Sequence, residues 1–204
     1  MTAGYQKKRQ RKKPRTIELP EDLRITDKEY QDYFDHAKKS GTFYAIKFGK
    51  STGEIREKLI GKGYVDEPVE VIHADESVVK VHLIQDTIDY LVENHLVDDE
   101  MIAEHIVSSK RSSGRGNLDI LRRLKRKKIP EHIIEQVMEE NEDEDDELND
   151  NSPIVKSGYQ YQRRSSFRKE QDPFKKKQKL YLFLQGRGFG GSEIRTYMEE
   201  YYHD

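Results

Sequence analysis

Glu54-Ile55-Arg56-Glu57-Lys58-Leu59-Ile60-Gly61-Lys62-Gly63-Tyr64 occurs three times in this chain in altered form, and that recurrence decides the fold. The second copy is Asp119-Ile120-Leu121-Arg122-Arg123-Leu124-Lys125-Arg126-Lys127-Lys128-Ile129, and the third is Lys179-Leu180-Tyr181-Leu182-Phe183-Leu184-Gln185-Gly186-Arg187-Gly188-Phe189. Ile55, Ile120 and Leu180 correspond, as do Leu59, Leu124 and Leu184, and Tyr64, Ile129 and Phe189. Each copy reads as a helix with an apolar stripe, a basic or glycine stop, and an apolar residue just beyond it. One such unit cannot bury its apolar face alone, so repetition at a spacing of roughly sixty residues predicts a modular, elongated helical array. An array of this kind binds along a surface rather than working in a cleft.

Bulk properties agree. Of 204 residues, 33% are hydrophobic and 37% charged, which favours thin helical modules over one large core. The formal net charge of −2 conceals segregation. Lys7, Lys8, Arg9, Arg11, Lys12, Lys13 and Arg15 stand without an acid between them, the run from Glu139 to Asp150 is almost wholly acidic, and the stretch from Arg163 to Arg187 is basic again. Such blocks are usually solvated tails or linkers, and basic ones commonly meet nucleic acid or an acidic partner. With no cysteine there is no disulfide, thiolate metal site or Cys nucleophile. No apolar run reaches the ~18 residues of a membrane span, and the basic N-terminus lacks the apolar stretch of a secretory signal. A cytoplasmic, elongated monomer is expected.

Along the chain, residues 1–16 read as disordered, and Pro20 opens a turn. Thr26 with Glu29 is a capping box starting a helix that Gly41 is expected to end. Residues 43–48 fit helix or strand and are assigned to helix. Ser51 with Glu54 is a second capping box. Residues 65–79, with Pro68, read as a loop insertion with room for a short helix. A helix is expected from Lys80 to His95, another from the acids Asp98-Asp99-Glu100 to about Ser112, then the second repeated helix with Asn117 as cap, and one behind Pro130 carrying Ile133, Ile134, Val137 and Met138. Residues 139–150 are a frayed helix end or a linker. Phe174 to Gly186 is the third repeated helix, and Ser192 opens the last.

No catalytic constellation emerges. The histidines, His105 and His132 among them, lack metal-ligand spacing with acids, and a surface or hydrogen-bonded histidine is the plainer reading. Gly186-Arg187-Gly188-Phe189-Gly190-Gly191 lacks the preceding strand and the Lys-Ser/Thr of a phosphate loop, which leaves a helix C-cap. The expectation is a non-enzyme with no cofactor and no metal.

Three basic clusters remain as candidate binding surface. One holds Lys58 and Lys62. The next holds Lys110, Arg111, Arg115, Arg122, Arg123, Lys125, Arg126, Lys127 and Lys128. The last holds Lys175, Lys176, Lys177, Lys179 and Arg187. Any one cluster is as readily a solvated face, but recurrence within the repeats favours a ridge for a phosphate backbone or an acidic protein groove.

Gly61-Lys62-Gly63-Tyr64, the junction from Leu91 through Asp98-Asp99-Glu100 to Ala103, and Arg111-Ser112-Ser113-Gly114-Arg115-Gly116 resemble the RecX regulatory family, as does the segment from Lys177 to Arg195. The resemblance spans about 27–139 and 173–203. It implies an all-α fold of tandem three-helix repeats forming an elongated curved array with a flexible basic N-terminal tail. It also implies a modulator of the RecA recombinase, in recombination, DNA repair and the SOS response, that lies in the groove of the RecA–DNA filament. Family members usually inhibit filament extension, ATP hydrolysis and strand exchange, and bind DNA weakly. The boundaries expected are a basic tail at 1–25, repeat 1 at 26–97 with the 65–79 insertion, repeat 2 at 98–140, an acidic linker with a candidate first helix of repeat 3 at 141–172, and the remainder of repeat 3 at 173–204. Two rivals are a stand-alone DNA-binding protein with tandem helix-turn-helix-like modules and a protein-binding scaffold without DNA affinity. Against the former, the helix after each turn carries Glu131, Glu135 and Glu139 or Glu193, Glu199 and Glu200, which a DNA groove would repel.

Overall fold

A computed structural model of the protein describes residues 17–140 and 148–202. The basic run before residue 16 and most of the acidic linker lie outside the described residues. A strand, β1 (Arg24–Thr26), precedes the helix α1 (Asp27–Phe48). The Thr26 side chain accepts from the Glu29 amide at 3.3 Å and the Glu29 carboxylate accepts from the Thr26 amide at 2.9 Å, so the capping box satisfies two otherwise orphaned donors.

Gly41 does not end this helix. α1 runs on to Gly49, whose left-handed φ of 54° closes it. A Cβ at Gly41 would stand 2.7 Å from the Leu91 side chain, so the glycine is there for close packing of α1 against α3 (Leu83–Glu93).

α2 (Thr52–Ile60) follows its Ser51 capping box. The expected loop at 65–79 is instead a hairpin, β2 (Val69–Ile72) and β3 (Val78–Val81), with β2 parallel to β1 and antiparallel to β3. Ile25, Val69 and Val71 bury a small core beneath Tyr30 and Tyr33. The four-residue strands are too short to show a clear alternation, and the Ala74-Asp75-Glu76-Ser77 turn lacks the Asn-Gly signature of a tight hairpin. Lys80 and Val81 belong to β3, which is why α3 starts later than expected. Residues 17–25 are likewise packed rather than a free tail, with the Ile17 amide donating to the Lys62 carbonyl at 2.8 Å.

The second helical unit is α4 (Asp99–Ser112), α5 (Asn117–Arg126) and α6 (Glu131–Glu140). Gly116, not Asn117, is the N-cap of α5. The third is α7 (Pro153–Gln162), the single turn α8 (Ser165–Arg168), α9 (Pro173–Gly186) and α10 (Gly191–Glu200). The fold is thus mostly helical, with three separate buried clusters for the three units and the small sheet beside the first.

The repeated phrase means the same thing each time. All nine corresponding apolar residues are buried. α2, α5 and α9 end identically: the amide of Tyr64, Ile129 or Phe189 reaches back to the carbonyl of Leu59, Leu124 or Leu184 at 3.3 Å. The residue before each is left-handed, Gly63 (φ 95°), Lys128 (φ 57°) and Gly188 (φ 91°), as a Schellman closure requires.

Candidate functional site

The joints between units decide which basic side chains remain available. At the first joint, the Ser51 hydroxyl donates to the Lys127 carbonyl, and the Thr52 amide and hydroxyl donate to Asp99. Lys127 turns inward, donating to the Gly49 carbonyl at 3.2 Å and to Glu54 at 3.1 Å, while Lys50 also pairs with Glu54. Burial works against the Glu54 charge, but the two lysines hold its carboxyl below the usual range. Burial, only partly offset by the Thr52 hydrogen bonds, pushes Asp99 up.

The second joint repeats the plan one unit along. The Gly116 amide donates to the Arg187 carbonyl at 3.1 Å and the Leu118 amide to the Gly188 carbonyl at 3.0 Å. The Arg187 guanidinium donates to the Ser113 carbonyl at 2.9 Å, and the Ser157 hydroxyl to the Gly114 carbonyl at 2.7 Å. Lys62, Lys127 and Arg187 occupy one repeat position, and the carbonyl of each is capped by chain from upstream. The basic character of that position serves the interior: Lys62 itself donates to Ser40 at 2.9 Å, and burial draws its ammonium below the ordinary value.

Other candidates are tied locally. Arg111 donates to the Asn117 side chain, Lys179 pairs with Glu170 at 2.6 Å, and Lys175 lies 3.8 Å from Asp172. Lys125 and Lys128 hold Glu131 and Glu57, each at 3.0 Å. Arg122 folds onto its own helix, donating to the Leu118 carbonyl, and Lys177 lies over the Tyr202 ring. Lys110 sits in the last turn of α4, beside that helix's carbonyl end. Lys58, Arg126 and Lys176 have no partner among the described residues.

One concentration of charge stands out at the second joint. Asp119 receives Arg123 at 2.9 Å and Arg115 at 3.9 Å. Arg187 lies within electrostatic reach of Arg115 and Asp119, its guanidinium 5.1 Å from the Phe183 ring, and Arg164 lies 5.0 Å from the same ring. Phe183 in turn stacks on Tyr161 with centroids 4.2 Å apart. Burial, and then repulsion from Arg115 and Arg164, draws Arg187 below its ordinary value. Asp119, despite its burial, is held below the carboxylate range by Arg123, Arg115 and Arg122. Arg115 and Arg123 thus flank one carboxylate, Arg187 of the next unit lies within electrostatic reach of Arg115 and of that carboxylate, and Arg164 shares the Phe183 ring with Arg187, a surplus of positive charge with planar donors suited to phosphate or carboxylate. Sequence reading missed Arg164. Its only signal was the Arg163-Arg164 pair in a polar stretch whose helices were not legible.

Among the described residues no group of histidines and acids could hold a metal ion, and no helix is long and apolar enough to cross a membrane. A family profile described as RecX, second three-helix domain, matches residues 98–138, and the profile of the third three-helix domain matches 159–198. In both of these units the chain is similar to the RecX family. It is 29% identical over 166 residues to the regulatory protein RecX of Chlorobium limicola, covering 79% of this chain and 89% of that one. It is 28% identical over 160 residues to the RecX of Clostridium perfringens, covering 78% of this chain and 65% of that protein. The RecX crystal structure from Lactobacillus salivarius superposes with a TM-score of 0.62 at 20% identity, covering 83% of this chain and 97% of that one. A second RecX crystal structure gives the same TM-score at 17% identity, covering 84% and 76%. The RecX fold is therefore shared over most of the chain, and the similarities support a RecX-type regulatory protein.

Proposed function

We propose that this chain is a non-catalytic modulator of the RecA recombinase that lies in the groove of the RecA–DNA filament and inhibits its extension, ATP hydrolysis and strand exchange. Similarity to the RecX family names the class, and the arginine cluster at the second joint is the observation that carries the mechanism. Arg115 and Arg123 are held by Asp119 in the second unit, Arg164 by Phe183 in the third, and Arg187 reaches from the third unit to the Ser113 carbonyl of the second, so an anion bound among them spans the joint. Lys58, Arg122, Arg126, Lys175, Lys176 and Lys179 extend the positive surface on either side and take phosphates or acidic RecA side chains. Phosphate contacts of this kind give weak binding that does not read sequence and falls with salt. The protein works as a cytoplasmic monomer and needs no cofactor.

The test is RecA's single-stranded-DNA-dependent ATP hydrolysis with the chain titrated in. A fall at ratios well below one chain per RecA is expected, because each bridged pair of protomers blocks further addition. No fall, with DNA binding retained, would replace this reading with a free-standing DNA-binding module. Arg115→Glu, Arg122→Glu and Arg126→Glu combined should relieve inhibition; intact inhibition would move the interface off this ridge.

A further inference from the structure

Helix α1 distributes its side chains against the ordinary logic of burial. Its core-facing positions hold the small residues Ala37, Ser40, Gly41 and Ala45, all buried. Tyr30, Tyr33, Phe34 and Tyr44 pack partly against the core, but the large apolar residues near its C-terminal end face water: Phe43 is 48%, Ile46 70% and Phe48 52% exposed. The inward choice is explained by the close approach of α3, whose Leu91 fills the space that a Cβ at Gly41 would take. Nothing in the fold explains the outward one. Contiguous exposed apolar residues on a helix face mark a surface that another molecule covers.

The surroundings say what kind of molecule. Phe43 and Ile46, with Tyr90 from α3, line an open cleft of about 610 Å³ whose other walls are Asp35, Lys38, Lys39, Thr42 and Lys47. Lys38 is balanced by Asp35 at 2.8 Å, which Lys39 also faces at longer range without forming an ion pair, whereas Lys47 forms no ion pair among the described residues. The cleft is therefore apolar at its floor and positive at its rim. A nucleobase would need an open ring face, and each of these rings already carries a lysine ammonium over one face. The Lys47 ammonium lies 5.1 Å from the Phe43 centroid and 5.7 Å from that of Phe48, and Lys38 lies 4.4 Å from Phe34 and 5.1 Å from Tyr90. Such cation–π seating places the ammoniums over the rings, where bases would otherwise stack.

From this juxtaposition we infer that the α1 cleft docks an acidic protein segment with a bulky apolar anchor, presented by the RecA protomers of the filament rather than by its DNA. The anchor enters between Phe43, Ile46 and Tyr90, and its flanking carboxylates meet Lys39 and Lys47. This rests on the reading of the chain as a RecA modulator and adds a division of labour to it. The arginine cluster at the second joint takes the phosphates, and the first unit takes the protein.

The experiment measures binding of the labelled full chain to RecA assembled on single-stranded DNA with a non-hydrolysable ATP analogue, beside the same DNA without RecA. Ile46→Asp, and separately the pair Lys39→Glu and Lys47→Glu, should each weaken filament binding by about tenfold or more while binding to bare DNA stays within about twofold. All three positions are exposed, and thermal melts matching wild type establish that the variants fold. A photo-reactive residue in place of Phe43 should crosslink to the RecA polypeptide. Wild-type filament affinity in Ile46→Asp, or crosslinks to DNA, would overturn the inference while leaving the modulator reading standing. Crosslinks between two copies of the chain without RecA would assign the cleft to self-association and overturn it as well. Failure of the wild-type chain to bind filaments would instead sink the modulator reading, and this inference with it.

Discussion

Gly116→Ala should undock the third helical unit from the second. The Gly116 φ of −83° suits any residue, so its backbone gives alanine no difficulty. The obstacle is the neighbour. An added Cβ would stand 2.4 Å from the Gly188 carbonyl oxygen, 2.5 Å from its carbon and 2.6 Å from the Phe189 nitrogen. These are backbone atoms, held in the Schellman turn that ends α9, and cannot swing aside as a side-chain tip would. Relief to ordinary van der Waals distance requires the two chains to part by about 1 Å. That opening stretches the Gly116 to Arg187 and Leu118 to Gly188 hydrogen bonds beyond useful length and pulls the Arg187 guanidinium from the Ser113 carbonyl. Two amide bonds at about 1 kcal/mol each and one charged bond at about 1.5–3 kcal/mol put the loss at roughly 3–5 kcal/mol. Such a loss shifts the docking equilibrium by about two to three and a half orders of magnitude. Gly186→Ala is the internal control, because a Cβ there meets nothing within 4 Å and alanine favours the helix. Amide hydrogen exchange resolves the units: Gly116→Ala should lose protection at the second joint and through α9 and α10 while α1 to α3 keep theirs, and Gly186→Ala should match wild type. Equal protection at the joint amides in wild type and Gly116→Ala would refute the view that close backbone approach holds this joint.

Three further outcomes follow from the same geometry. Lys128→Gly should raise stability by up to about 1 kcal/mol, since the left-handed strain of a lysine is removed while glycine's freedom when unfolded and the exposed pair with Glu57 offset part of the gain; a lowered denaturant midpoint would contradict it. Asp99→Asn should be at least as stable as wild type at neutral pH, and the pH dependence shows why: with its folded value raised above 3.8, Asp99 contributes stability below that value and loses it as pH climbs through the folded value. Stability measured from pH 3 to 7 should therefore show the variant gaining on wild type as pH rises, and a gain on acidification would reverse the sign and the argument. Arg164→Ala should reduce the slope of log affinity against log salt for single-stranded DNA by about one while leaving the fold intact; an unchanged slope would remove Arg164 from the phosphate surface.

The repeat was legible in the sequence because its signal is local. Ile55 and Leu59 sit at helical spacing with Tyr64 just past the helix stop, and the same three positions recur and are buried in every unit. Capping boxes at Thr26 and Ser51 were legible for the same reason, each lying within four residues. What escaped depends on partners far away in the chain. β2 is a strand because β1 lies beside it, 46 residues upstream in register at Ile25 and Val71, and nothing in the run from Val69 to Ile72 announces that neighbour. Gly41 looked like a stop because a mid-helix glycine ordinarily costs about 1 kcal/mol, and only the Leu91 side chain shows what the cost secures. Arg164 joins the arginine cluster through Phe183, nineteen residues on, from a stretch with no periodicity to read.

The recurrent basic position carries the same lesson about joints and surfaces. Lys62, Lys127 and Arg187 recur because each sits just before the left-handed residue that ends a repeated helix, where its carbonyl points out of the unit toward the one before. The Arg187 carbonyl receives Gly116, the Lys127 carbonyl receives Ser51, and the Lys62 carbonyl receives Ile17. No helical unit precedes the first among the described residues, so the segment from Ile17 to Thr26 stands where a preceding unit would dock. It fills that role with one amide at Ile17, a carbonyl at Glu18 that accepts from Tyr33, and a strand that pairs with the inserted hairpin. The hairpin and the N-terminal segment are therefore one device. Together they close the upstream end of the array and cover the backbone that every other joint covers with a helix.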